Sequence, residues 1–193
     1  MSFAATPKSL GYRFPAEFEE HEATWLSWPH KEASWPGKLD AVYPYYAQFV
    51  KALAESEKVR INVTDETMKN FALGHLSAAG VNLAQVAFFF HPTNDAWCRD
   101  HGPAFLVNPE AEQKKVIVDW GYNAWGGKYP PFDLDDVIPT LIGKEFNIPV
   151  SLSIGISLAP KMGTDFDNLM KFADKAMYEA KKNDGIHYKY YSE

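Results

Sequence analysis

The densest polar cluster of the 193-residue chain lies in ten residues, Asn94 to Pro103, reading Asn-Asp-Ala-Trp-Cys-Arg-Asp-His-Gly-Pro. Two carboxylates, Asp95 and Asp100, with the indole of Trp97 suit a planar cationic ligand. A carboxylate can accept two parallel hydrogen bonds from a guanidinium, and an indole face adds cation–π attraction. The same spacing also suits a plain Asp–Arg surface pair, made with Arg99, that caps the turn at Gly102 and Pro103. Cys98 and His101 invite a thiolate–imidazole reading. Alternation of Cys98 with Trp97 and Arg99 turns its thiol to the opposite face, which argues against a nucleophile. His91, Cys98 and His101 have metal-ligating chemistry but no Cys-x-x-Cys or His-x-x-x-His spacing, so no metal is expected. Gly126 and Gly127 read as a turn, since no Lys-Ser pair follows to make a phosphate loop.

Alternating strands and helices position this cluster. Residues 1–38 are irregular, punctuated by Gly11, Pro15, Pro29, Pro36 and Gly37, with a short strand at Trp25–Pro29. Asp40 is placed to cap a helix to about Glu55, with Val42, Tyr46, Phe49, Val50 and Leu53 on one face. Val59, Ile61 and Val63 alternate as a strand. A second helix opens at Thr64 or Asp65, turns Met68, Phe71, Ala72, His75, Leu76 and Ala79 inward, and stops at Gly80. A strand over 85–91 leads into the polar cluster, which therefore sits on a loop at a sheet end. Strands over 104–108 and 115–120, a helix over 133–146, and an apolar strand over 148–157 follow. Thr164 opens an amphipathic helix to about Lys182 whose stripe is Phe166, Leu169, Met170, Ala173, Ala176, Met177 and Ala180. A last strand covers His187–Tyr191.

Composition bounds the class. The chain is 46% hydrophobic, 23% charged and 15% aromatic, which excludes a disordered chain. A single cysteine excludes a disulfide scaffold. The longest apolar run, Val86 to Phe90, is strand-sized, so no membrane partner is expected. The N-terminus has no apolar signal core, which makes a cytoplasmic address the default. A net charge of −6 argues against a nucleic-acid partner. Residues 1–150 hold 13 Lys and Arg against 19 Asp and Glu, whereas 151–193 hold six of each sign. All six tryptophans lie at or before Trp125. The break near 150 marks a domain boundary, giving units at 1–150 and 151–193.

Four segments resemble agmatine deiminases of the pentein superfamily: Gly11–Phe18, His21–Pro29, Asn94–Pro103 and Val118–Gly127. Pro130–Asp136 continues the likeness, which covers about residues 8–150. The resemblance implies an α/β fold, a five-bladed propeller of strand–strand–helix–strand units of which this chain holds part. It also implies hydrolysis of agmatine to N-carbamoylputrescine and ammonia, a step of putrescine and polyamine synthesis, with no cofactor. In that family a Cys thiolate attacks the guanidinium carbon, a His moves protons, and acids hold the guanidinium. By resemblance Asp100 is the catalytic, guanidinium-binding acid. Trp97 lines the substrate site, and Asp95 lies in the same motif with a structural role first. The family's Gly-Gly-Gly-Asn-x-His-Cys, Leu-Glu-Gly-Gly and His-x-Asp elements are not in this sequence. The expectation is a truncated member, inactive as it stands, whose partner is agmatine; self-association into a homo-oligomer is left open.

The remaining residues resemble the end of a GGDEF (diguanylate cyclase) domain. Ser153–Ser157, Gly163–Asp165 and Ala173–Lys182 carry that likeness over about 151–193, implying a strand–helix–strand fragment. Lys181 matches a phosphate-contacting lysine of that family. The defining Gly-Gly-Asp/Glu-Glu-Phe turn and its metal-binding aspartates are absent. The sequence reads as a join of two incomplete families near Val150 and Ser151.

Overall fold

Capping residues and apolar spacing set the element boundaries. The computed structural model describes residues 6–151, 154–180 and 188–191. The chain divides into two compact units, Met1–Val150 and Ser151–Glu193.

The first unit opens on a three-stranded parallel sheet in the order β1 (Ala23–Ser27), β2 (Lys58–Asn62), β3 (Val86–Phe89). Parallel neighbours need long crossovers, and α1 (Leu39–Leu53) and α2 (Glu66–Ala79) supply them. α2 starts where Asp65 accepts the Met68 N–H at 2.8 Å and ends on left-handed Gly80 (φ 70°). α1 starts one residue before Asp40, which sits in its first turn and caps nothing. Its buried stripe is Tyr43, Ala47 and Val50, and Phe49 faces outward. Of the expected stripe Val50 is buried and Tyr46 and Leu53 pack against the same core; Tyr43, stacked on Trp28 at 5.9 Å, and Ala47 join them. With Leu26, Val59, Ile61, Val63, Ala72 and Leu76 these residues form the main core.

β3 leads through the single turn α3 (Cys98–His101) into an antiparallel hairpin, β4 (Ala104–Val107) with β5 (Lys115–Val118), register Phe105 to Ile117. A four-residue turn, α4 (Ala124–Gly127), follows. The helix expected over 133–146 is two, α5 (Asp133–Asp136) and α6 (Ile138–Glu145). Pro139, in the first turn of α6, has no N–H to continue the ladder across Val137. The Ile117 N–H donates to the Pro149 carbonyl at 2.9 Å, beside β6 (Val150–Ser151). α6 approaches that segment so closely that a Cβ on Gly143 would lie 2.2 Å from Val150 Cγ2.

The two sheets of this unit meet along the outer face of β1. Trp25 packs on Phe89 and edge-on to Phe146, and the Arg60 guanidinium lies 4.5 Å from the Phe146 ring centre. Glu22 bridges the sheets by pairing with Arg60 at 2.5 Å and with Lys115. These two partners hold the Glu22 carboxyl down at about 2.

The second unit is a β–α–β element: β7 (Ile154–Ile156) and β8 (Tyr188–Tyr190) pair in parallel, joined through α7 (Phe166–Ala180). Asp165 accepts the Asn168 N–H at 2.9 Å at the start of α7. The Ser157 hydroxyl donates to the Leu169 carbonyl at 2.7 Å, and Phe172 stacks on Tyr191 at 4.3 Å. Ala176 is buried, but Phe166 and Met170 of the expected stripe are exposed. The run read as one strand over 148–157 is split, because β6 and β7 belong to different sheets. No helix among the described residues is long and apolar enough to cross a membrane.

Candidate functional site

Three loops converge beside the end of the parallel sheet. His30 ties the first to the second, its ring nitrogens lying 2.9 Å from the carbonyls of Trp28 and Thr93. Asn94 and Asp135 latch the second to the third reciprocally. The Asp135 carboxylate accepts the N–H groups of Asn94 (2.7 Å) and Asp95 (3.2 Å). The Asn94 side-chain oxygen accepts those of Leu134 (2.8 Å) and Asp135 (3.3 Å). Asp135 is buried, and that burial raises its carboxyl pKa.

The loops enclose a cavity of about 690 Å³ within the first unit. Asp95, Trp97 and Asp100 all line it, together with Lys31, Tyr122 and Trp125. Their states differ. Asp95 is buried and committed: Ser34 Oγ donates to it at 2.5 Å, the Ala96 N–H at 2.8 Å, and Lys31 lies 3.5 Å away. Asp100 is exposed in the cavity wall and accepts no hydrogen bond and forms no ion pair among the described residues. Trp97 is half-exposed and stacks on Trp35 at 5.8 Å, which fixes its ring as a wall. Arg99 points away and pairs with Glu17 in solvent, so the Asp–Arg surface pair does not form with Asp95 or Asp100.

Trp125 reaches the cavity through an unusual backbone. Ala124, Trp125, Gly126 and Gly127 all have positive φ (49°, 57°, 82°, 79°), and Gly127 and Lys128 donate back to the carbonyls of Asn123 and Ala124. This is one turn of left-handed α-helix. L-residues resist that hand by roughly 1–2 kcal/mol each, so Ala124 and Trp125 are strained while the two glycines are not. Asn123 offsets part of the cost by accepting the Gly126 N–H at 2.9 Å. Tyr122 meets Trp125 edge-on at 5.8 Å, and Trp125 meets Tyr129 in the same way at 5.8 Å. Tyr122 is pushed up to about 12, by burial first and then by the field of Asp135, Asp100 and Asp95. Burial opposes any charge there, and only the smaller contribution of the three carboxylates is one that a cation would share.

Cys98 is no nucleophile in this geometry. Its thiol donates to the Trp25 carbonyl at 3.2 Å, and burial pushes it up to about 11. Cys98 lies on a helical turn rather than on the extended chain that alternation implies, and its thiol lies away from the cavity all the same. His91, 3.2 Å from the Asn62 side-chain oxygen, and His101 do not converge on Cys98. Among the described residues no group of three or more His, Cys, Asp and Glu could hold a metal ion. Lys181 lies outside the described residues. The sequence reading missed Tyr122, Trp125, Tyr129 and Asp135 as site residues. All four lie in or beside the segments 118–127 and 130–136, whose motifs were visible but whose fold onto the 94–100 loop was not.

Residues 13–156 match the family model described as Porphyromonas-type peptidyl-arginine deiminase, and residues 138–186 match that of the GGDEF domain of diguanylate cyclases. The agmatine deiminase of Pseudomonas aeruginosa is 33% identical over 138 residues, covering 69% of this chain and 35% of that protein. Among solved structures, the agmatine deiminase of Enterococcus faecalis, catalysing its reaction, is 30% identical with a TM-score of 0.65, over 76% of this chain and 39% of that one. The C315S agmatine deiminase of C. jejuni with substrate bound is similar in fold, at 23% identity and a TM-score of 0.61, over 93% of this chain and 54% of that one. The chain spans 34–38% of the length of the curated relatives it matches. By the extent of these matches and by its α/β fold with a parallel sheet, the chain belongs to the Porphyromonas-type peptidyl-arginine deiminase family.

Proposed function

We propose that the cavity recognises a guanidinium group, that agmatine is the ligand it is built around, and that this sequence by itself does not turn agmatine over. The observation that carries the reading is Asp100: a carboxylate with no partner among the described residues, set beside Trp97 and Trp125. A guanidinium there gains two charge-assisted hydrogen bonds and an aromatic face. Family relatives of known structure and name act on agmatine, which supports the choice of ligand. Hydrolysis through a covalent intermediate needs a thiolate. The one cysteine of this sequence is Cys98, and its thiol is buried against the Trp25 carbonyl. We read the two sheets of the first unit as blades of the propeller that the resemblance implies.

Calorimetric titration of the full chain with agmatine tests this. Expected affinity is about 1 mM or weaker, roughly −4 kcal/mol, because the exposed Asp100 is screened by solvent. Asp100→Asn should abolish binding, and no ammonia should form above buffer. Micromolar binding that survives Asp100→Asn would reject the assignment; turnover lost in Cys98→Ala would reject inactivity.

A second reading rests on the GGDEF match over 138–186. We take that segment as a remnant without cyclase activity, because the turn and metal-binding aspartates of that family are missing from this sequence. Formation of a cyclic dinucleotide from GTP would overturn it.

A further inference from the structure

The half-buried ring of His30 meets two backbone carbonyls at once. Its Nδ1 lies 2.9 Å from the Trp28 oxygen and its Nε2 lies 2.9 Å from the Thr93 oxygen. A carbonyl oxygen accepts and never donates, so each contact needs a hydrogen on the ring nitrogen. A neutral imidazole carries one such hydrogen, and an imidazolium carries two. Both bonds are therefore satisfied together only in the imidazolium. In the neutral ring one nitrogen lone pair would face a carbonyl lone pair at the same distance, and that contact repels.

The two bonds join the segments that build the cavity wall. Beyond His30 the chain sets Ser34 and Lys31 on Asp95, at 2.5 and 3.5 Å, and stacks Trp35 on Trp97. Beyond Thr93, itself buried, it carries Asp95, Trp97 and Asp100 into the cavity. His30 thus sits at the root of both segments. The charged and titratable groups about it come from each neighbouring element. Lys31 and Asp95 belong to the two segments themselves. Asp65, at the start of α2, and Tyr43, of α1, share a surface cavity with His30. His91, two residues before Thr93, lies against the Asn62 side-chain oxygen. His30 forms no ion pair among the described residues, so the two carbonyls are its partners there.

We propose that His30 is a positioning residue for guanidinium recognition: as the imidazolium it clasps the 28–35 and 93–100 segments together, and loss of its second ring proton loosens the wall that presents Trp97 and Asp100. The proposal rests on the guanidinium reading of the cavity and adds a proton on His30 to what that site requires.

A histidine ring gives up its second proton between about pH 5.5 and 8, so agmatine affinity should fall as pH rises across that range. The other groups beside the cavity act with the opposite sign. Burial raises the Asp135 carboxyl and lowers His101. As pH rises, the first gains negative charge and the second loses positive charge, and each change favours a bound cation. The amine and guanidinium of agmatine, like those of lysine and arginine, stay charged throughout.

Calorimetric titration of the full chain with agmatine across that pH range is the test. Binding should be roughly three- to tenfold weaker at the upper end than at the lower, the worth of one hydrogen bond. His30→Gln, whose single amide nitrogen does not span the two carbonyls, should bind at the weaker level throughout, with the slope gone. A histidine that merely filled space would lower affinity in that variant and leave the slope as it was. Affinity that stays level or climbs with pH in the unaltered chain, or a fall retained by His30→Gln, would overturn the clasp and leave the guanidinium reading intact. The first of these outcomes decides alone if His30→Gln misfolds. Absence of binding at every pH would overturn both.

Discussion

The two sheets of the first unit bury very different amounts of apolar surface. The parallel sheet lies under α1 and α2, with Ala47, Val50, Val59, Ile61, Ala72 and Leu76 wholly enclosed. The hairpin sheet has a core of Ile117, Ile138 and Ile142, with part-buried Phe105 and Phe146 beside it and Trp25 borrowed from the parallel sheet. The candidate site lies where the two meet, and it takes its polar groups from loops rather than from either core. Stability is concentrated in one sheet, and the chemistry sits on its boundary with the weaker one, where loops can carry unsatisfied charge.

Core truncations measure that contrast directly. Ile61→Ala, in the parallel sheet, should cost about 4 kcal/mol, near the upper end for a buried aliphatic. Ile117→Ala should cost about 2 kcal/mol, because its smaller cluster has more room to collapse around the gap. Urea unfolding monitored by tryptophan fluorescence gives both values. Equal losses would mean that the two sheets are one cooperative core and that the contrast is false.

Acid should act on the site loops, through His101, before it acts on the Glu22 bridge between the sheets. Burial holds His101 neutral, pushed down to about 4 from an ordinary 6.5. A depressed histidine pKa means that the unfolded chain binds the proton more tightly. The stabilisation is thus full above pH 6.5 and lost as pH falls through that window toward 4, in all about 3 kcal/mol. Glu22, held at about 2, loses its own contribution at lower pH, between 4.5 and 2. The two limbs are separable. His101→Leu should remove most of the limb between 6.5 and 4, leaving the part due to His91, which burial also lowers, with little cost at neutral pH, since it replaces by carbon two nitrogens unpartnered among the described residues. A melting profile of this variant that falls as steeply as that of the unaltered chain over that window would assign the limb to another group.

The latch should give a smaller effect. Asp135→Ala leaves the N–H groups of Asn94 and Asp95 without their acceptor, for about 2 kcal/mol. Asp135→Asn keeps an acceptor oxygen and should recover most of it. If both variants cost the same, the charge of Asp135 matters rather than its hydrogen bonds, and the boundary is held electrostatically.

How much of this was legible in the sequence follows from the range of the forces involved. α2 could be read nearly to the residue, because Asp65 and Gly80 are local signals and act within one turn. The stripe of α1 was read in part: Tyr46, Val50 and Leu53 meet the core as expected, whereas the stacking of Tyr43 on Trp28 is a contact between distant segments that the spacing does not carry. The 94–103 cluster was visible as chemistry, and Asp100 and Trp97 do face one cavity. The split of roles between Asp95 and Asp100 was only partly visible. It depends on Ser34 and Lys31, about 60 residues away, which take up one carboxylate and leave the other. Asp135 and Trp125 were hidden for the same reason: one acts through a latch to Asn94, the other through a left-handed turn that no periodicity describes.

That turn gives the mildest test. Gly126 sits at φ 82°, and a Cβ built there meets nothing within 4 Å. Any cost of Gly126→Ala is therefore backbone strain alone, about 1 kcal/mol. Because Ala124 and Trp125 already bear the same strain, a third strained residue should favour unwinding to a right-handed or extended turn. Trp125 would then swing out of the cavity wall. The expected signature is a small loss of stability joined to a disproportionate loss of agmatine binding, read by titration of the variant beside its urea midpoint. A variant with unchanged midpoint and unchanged affinity would show that the left-handed turn is not the native backbone at 124–127. The aromatic wall would then need another support.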